Sequence, residues 1–108
     1  MINRVLSMLG IAAKSGNVVS GEFSTEKAVK TGRAFLVIVS EEASDNTKKM
    51  FTNMTDFYEV PIYFYGSKEE LGRAIGKEFR ASLAITDENL ANAVESKLKN
   101  EKLNNGGK

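Results

Sequence analysis

"AFLVIV", residues 34–39, is an unbroken apolar run rich in β-branched side chains. A strand of this kind has no polar face, so helices must cover both of its sides. Upstream, "GEFSTEKAVKTG" has helical spacing over about residues 21–31 and stops at Gly32. Before it, "NVVS" is short and strand-like. Before that, Ile2, Val5, Leu6, Leu9 and Ala13 repeat at helical intervals over residues 2–15 and end at Ser15-Gly16. Downstream, "SEEASDNT" is a polar connector with several good N-caps. Met50, Phe51, Met54 and Phe57 then mark a helix over residues 44–58.

Val60-Pro61 ends that helix and opens the strand "IYFY". Ser67 and Glu70 have capping-box spacing, which predicts a helix over 68–75 with Gly76 as a left-handed stop. "SLAI" is a further strand. Thr86 or Asp87 caps a last helix with Leu90, Ala93, Val94 and Leu98 inward. Strands thus alternate with helices. The expected fold is α/β, a three-layer α/β/α sandwich around a mixed or mainly parallel sheet of about four strands. One domain is expected over residues 1–99, with 100–108 as a disordered tail.

The chain has 108 residues, 42% of them hydrophobic and 27% charged, which suits one hydrophobic core. No apolar run approaches the length of a membrane span, and the N-terminus lacks the pattern of a signal peptide. A cytosolic protein is the expectation. There is no cysteine and no histidine, so thiol nucleophiles, imidazole bases and the metal sites built on either are excluded. No catalytic residue, cofactor or metal is expected. Glu41, Glu42 and Asp45 follow the buried strand and could attract Mg²⁺, but Ser44, Asp45 and Asn46 read better as a capping loop. Tyr63 and Tyr65 share a strand face and should pack beneath a helix. Net charge is +1, so only its distribution is informative: basic residues gather before residue 34 and between 68 and 80.

Two stretches carry candidate binding residues. "LGRAIGKEFRAS", residues 71–82, superficially resembles a phosphate cradle. It fails that reading, because three residues rather than four separate Gly72 from Gly76 and Glu78 follows Lys77 where a hydroxyl should stand. The second helix has Thr25, Ala28, Val29 and Gly32 on one side, suited to a core. Phe23, Lys27 and Lys30 fall on the other. Either Phe23 folds beneath a loop and Glu26 pairs with Lys30, or an aromatic platform stands beside two ammonium groups. The second arrangement suits an unstacked base and its phosphates. Gly21 and the free N–H groups of the helix start favour it, and Glu22 opposes it.

From residue 4 to about 95 the chain resembles the ribosomal protein L7Ae/L30e superfamily, most closely its small bacterial YlxQ-like members. The stretches that carry this are "SGEFSTEKAVKTGRAFLVIVSEEAS", "NTKKM" and "FYEVPIYFYGSKEELGRAIGKEFRASLAITDENLA". The resemblance implies a sandwich that binds RNA. In many members the target is a kink-turn, a bent internal loop with tandem sheared G·A pairs beside a flipped-out nucleotide. In the family a Gly-x-Asn-Glu segment and a following Lys open the second helix and contact the G·A pairs. Gly21 and Lys27 match that pattern. Phe23 stands in place of Asn and Ser24 in place of Glu, so two guanine-reading groups are replaced. The family's wedge against the flipped-out nucleotide falls on residues 76–82. There Gly76 would set the turn, Lys77 and Arg80 would reach phosphates, and Phe79 or Ala81 would meet a base, with Ser82 closing the loop. Phe79 could equally be core.

The expectation is therefore a non-enzymatic bacterial RNA-binding protein, with Lys27, Lys30, Arg33, Lys77 and Arg80 neutralising phosphate. Its partners would be structured RNA, ribosomal RNA included, and ribosomal or other ribonucleoprotein components. Two rivals are a protein-interaction module on the same fold and a small nucleotide-dependent enzyme.

Overall fold

A computed structural model describes the backbone of residues 3–106. The elements are α1 (Arg4–Lys14), β1 (Val18–Ser20), α2 (Glu22–Lys30), β2 (Leu36–Val39) and α3 (Asp45–Tyr58). They continue as β3 (Ile62–Phe64), α4 (Lys68–Ala74), β4 (Ser82–Ile85) and α5 (Glu88–Gly106). The sheet order is β1-β4-β2-β3. β4 pairs antiparallel with both β1 and β2, while β2 and β3 run parallel. The sheet is thus mixed.

Its two faces hold separate cores, as the apolar run of β2 requires. Leu36 and Ile38 point to one side, among Val5 and Leu9 of α1, Leu71 of α4, and Val94 and Leu98 of α5. Val37 and Val39 point to the other, among Ala28 and Val29 of α2 and Phe51 of α3. The four side chains of β2 have no exposure at all. Each successive residue changes face, so an unbroken apolar run fills both cores.

Local signals set the element ends. The Ser67 hydroxyl accepts the Glu70 N–H, and the Glu70 carboxylate accepts the Ser67 N–H, completing the capping box. Ser44 caps α3 by accepting the Thr47 N–H. The Asp87 carboxylate accepts the Leu90 N–H, so Asp87 rather than Thr86 caps α5. Tyr63 and Tyr65 lie beneath α5, their hydroxyls donating to Glu95 at 3.0 Å and Glu101 at 2.9 Å.

The last helix is longer than its periodicity suggests. It carries on to Gly106, through a stretch expected to be a disordered tail. The Tyr65–Glu101 bond holds this extension against the sheet. Residues 107 and 108 of that expected tail lie outside the described residues. Among the described residues, no helix is long and apolar enough to cross a membrane.

Candidate nucleic-acid interface

The start of α2 and the loop before β4 lie side by side. Gly21 N–H donates to the Ser82 carbonyl at 2.9 Å. The Arg80 guanidinium donates through Nε to the Ser20 hydroxyl at 3.0 Å, and through Nη1 to the Phe79 carbonyl at 2.8 Å. Antiparallel pairing of β1 with β4 brings these segments together, because Ser20 sits opposite Leu83 in the ladder.

Gly21 occupies φ 92°, ψ 158°, a region that is essentially glycine-only. It is the N-cap of α2 and supplies no side-chain hydrogen bond. The first N–H groups of the helix therefore face outward with the positive end of the helix dipole. Nothing lies within 4 Å of where a Cβ on Gly21 would stand, so the approach to this turn is open.

Phe23 is 76% exposed, which rules out burial beneath a loop. Phe79 is 64% exposed and is not a core residue. Lys27 and Lys77 are exposed, and neither has an ion-pair partner among the described residues. Phe23 and Lys27 stand on α2, and Lys77 and Phe79 in the loop that precedes β4. Gly76 turns the loop at φ 77°.

Other candidates take different parts. The Lys30 ammonium bonds Glu26 at 2.6 Å. That hydrogen bond and the carboxylate's charge raise the lysine's pKa above its ordinary value. Each of the two readings of α2 thus holds in part: Lys27 has no ion-pair partner among the described residues, whereas Lys30 is shared with a carboxylate. Arg33 is exposed but lies beyond the C-terminal end of the nine-residue helix, at the opposite end from Gly21. Arg80 is half-buried, and two of its donors already brace the loop.

Ser24 is half-buried at the first turn, and Ala81 packs partly against the core beneath α2 and α3. Ser82 is a correction to the expected contact set. Its side chain has no exposure, and its hydroxyl faces Thr25 Oγ1 at 3.4 Å inside the fold. A hydroxyl there anchors α2 to β4 and cannot touch a partner.

Three supporting residues escape sequence reasoning. Ser20 receives Arg80, and the Lys68 carbonyl accepts the Arg80 main-chain N–H at 3.1 Å. Gly72 is buried in α4, and a Cβ there would overlap the Glu78 carbonyl. Its own carbonyl accepts the Lys77 N–H at 2.8 Å. Gly72 therefore lets the loop press against α4, and the spacing that resembles a phosphate cradle serves loop packing. A glycine inside a helix is the one available signal for it.

Residues 3–95 match the family described as Ribosomal protein L7Ae/L30e/S12e/Gadd45 family. The chain is 43% identical over 91 residues to the RNA-binding protein YlxQ of Bacillus subtilis (strain 168), covering 84% of this chain and 91% of that protein. It is 37% identical over 84 residues to the large ribosomal subunit protein eL30 of Sulfolobus acidocaldarius, covering 76% of this chain and 81% of that one. A solved structure of a protein of unknown function from Bacillus halodurans C superposes with a TM-score of 0.87 at 33% identity. It covers 89% of this chain and 97% of the other. The Giardia lamblia 15.5kD RNA binding protein shares the fold, with a TM-score of 0.76 at 24% identity over 93% of this chain and 89% of its own. The YlxQ and eL30 relatives are named as an RNA-binding protein and a ribosomal protein.

Proposed function

This chain belongs to the L7Ae/L30e/S12e/Gadd45 family of ribosomal proteins, and from that premise we propose that it binds structured RNA. The unit that binds is residues 1–99. It docks the start of α2 and the 76–82 loop into a bent or looped RNA, ribosomal RNA or another folded RNA of the bacterial cytoplasm. The carrying observation is the junction itself: the Gly21–Ser82 hydrogen bond joins the two segments into one surface.

Each part of that surface has a task. The open helix start and Lys27 attract phosphate, and Lys77 does so from the loop. Arg80 holds the loop against β1 and offers its remaining N–H groups to the backbone. Phe23 and Phe79 offer stacking faces to unpaired bases. Phe23 cannot hydrogen-bond a guanine edge, so a kink-turn is bound through shape and backbone more than through its G·A pairs. A lost charge-assisted hydrogen bond of that kind is on the order of 1.5–3 kcal/mol.

The test is a binding titration against an RNA hairpin with a bent internal loop and a fully paired duplex of equal length, across a range of salt. Preference for the bent RNA, with affinity falling steeply as salt rises, supports the reading. Salt-independent binding, or no binding to either RNA, removes it. The exposure of Phe23 and Phe79 favours one other outcome, a protein-binding face. Association with a partner protein that survives nuclease treatment and is lost on Phe23→Ala would support that instead.

A further inference from the structure

A second surface lies at the opposite edge of the sheet. β3 is an edge strand, paired with β2 on one side only. Toward β2 it uses the Pro61 carbonyl, which accepts from Val37, and the Tyr65 N–H, which donates to Val39. Main-chain groups of alternate residues point to opposite sides of a strand. The N–H and C=O groups of Ile62 and Phe64 therefore point away from the sheet. Among the described residues these groups have no hydrogen-bond partner. An uncovered edge of this kind is a template for another strand.

A cavity of about 640 Å³ opens beside this edge, lined by residues 62–66 and by Leu98 of α5. Its charged lining is Glu41, Glu70 and Glu101, with no lysine or arginine among the lining residues described. Glu70 and Glu101 each use one oxygen, for the Ser67 N–H and the Tyr65 hydroxyl. The second oxygen of each has no partner there, and the Glu41 carboxylate accepts no hydrogen bond among the described residues.

We propose that the free edge of β3 accepts an extended, cationic segment of another protein as a fifth strand. Main-chain bonds to Ile62 and Phe64 would set its register. Lysine or arginine at alternate positions would reach Glu41, Glu70 and Glu101, because alternate side chains share one face. The three carboxylates repel nucleic acid. They also disfavour a second copy of this chain, since pairing β3 with itself would bring two such acidic sets together. This surface is independent of the RNA face, which sits where β1 meets β4.

The probe is the peptide acetyl-Lys-Val-Arg-Val-Lys-Val-amide, followed by amide hydrogen exchange and NMR titration on the full chain. Exchange at the Ile62 and Phe64 amides should slow by about tenfold or more as the peptide saturates. Glu41→Gln with Glu70→Gln should weaken binding by about tenfold while leaving the capping box, since glutamine also accepts from Ser67. Phe64→Pro removes an outward donor without touching the β2 ladder and should abolish binding. If that variant does not fold, the exchange data on the unaltered chain decide. Unchanged exchange at Ile62 and Phe64 under millimolar peptide overturns the proposal. So does equal binding of acetyl-Glu-Val-Glu-Val-Glu-Val-amide, or displacement of the peptide by structured RNA.

Discussion

The main-chain N–H of Gly21 donates to the main-chain carbonyl of Ser82 across 2.9 Å, binding the N-cap of α2 to the first residue of β4. Neither residue needs its side chain for this bond. What it does is set the spacing between two surfaces that carry Phe23 and Lys27 on one side and Lys77 and Phe79 on the other.

Lys27 is exposed, with no ion pair among the described residues. Lys27→Ala should weaken RNA binding across all sequences and lower the salt slope by about one. Thermal unfolding should stay within about 0.5 kcal/mol of the parent, as for other exposed sites. A comparable loss of fold would show that Lys27 is structural.

Glu26 holds Lys30 at 2.6 Å. Glu26→Gln removes a negative charge from the α2 face and frees the ammonium. RNA affinity should rise, at the small stability cost usual for an exposed helical pair. Affinity that falls or stays level would place Lys30 outside the contact surface.

Gly72→Ala tests the support of the loop. In an exposed helix this change would stabilise by about 1 kcal/mol. Here the new methyl group would overlap the Glu78 carbonyl, which is backbone and cannot step aside freely. Net destabilisation of about 1–3 kcal/mol is expected in urea unfolding, with weaker RNA binding as the loop moves. A stabilised variant with unchanged binding would disprove the role assigned to Gly72.

Phe23→Asn with Ser24→Glu restores the residue types of the family segment that the chain resembles. The double variant should favour a kink-turn over the same RNA with its tandem G·A pairs replaced, more strongly than the parent does. The gain is bounded by about 1.5–3 kcal/mol per charged hydrogen bond. Equal discrimination by parent and variant would mean that this turn does not read those pairs.

Tyr63 sets an alkaline limit. Burial first, then its hydrogen bond to Glu95 and that group's charge, push its pKa up from 10.0 to about 12. The folded state thus holds this proton more tightly than the unfolded one. Its contribution is fully present below pH 10 and is lost as pH rises toward about 12. Tyr63→Phe should flatten that part of the stability curve relative to the parent. An identical alkaline slope in both proteins would exclude Tyr63 as its source.

Much of this is legible along the chain. The apolar run of β2, the Ser67–Glu70 capping box and the left-handed turn at Gly76 are local features, and each appears in the fold. The outward side of α2 also follows from spacing alone, but that Phe23 stays uncovered there is decided by the fold. Phe79 and Ser82 are different. They sit three residues apart, Phe79 in the loop and Ser82 at the start of β4, yet the hydroxyl is buried and the aromatic ring is exposed. Hydrophobicity points the other way at both positions: the loop around Phe79 has no period from which to infer a face, and Ser82 opens a strand buried at every position.

The sequence by itself determined which segments are helices and strands, and that both faces of the sheet must be covered. Those outcomes depend on neighbours a few residues away. Only the tertiary structure decided that Arg80 reaches Ser20, that Gly72 makes room for Glu78, and that β3 is left with an open edge. The physical reason is strand order: the antiparallel return of β4 between β1 and β2 brings distant turns into contact, and no local propensity encodes that crossing.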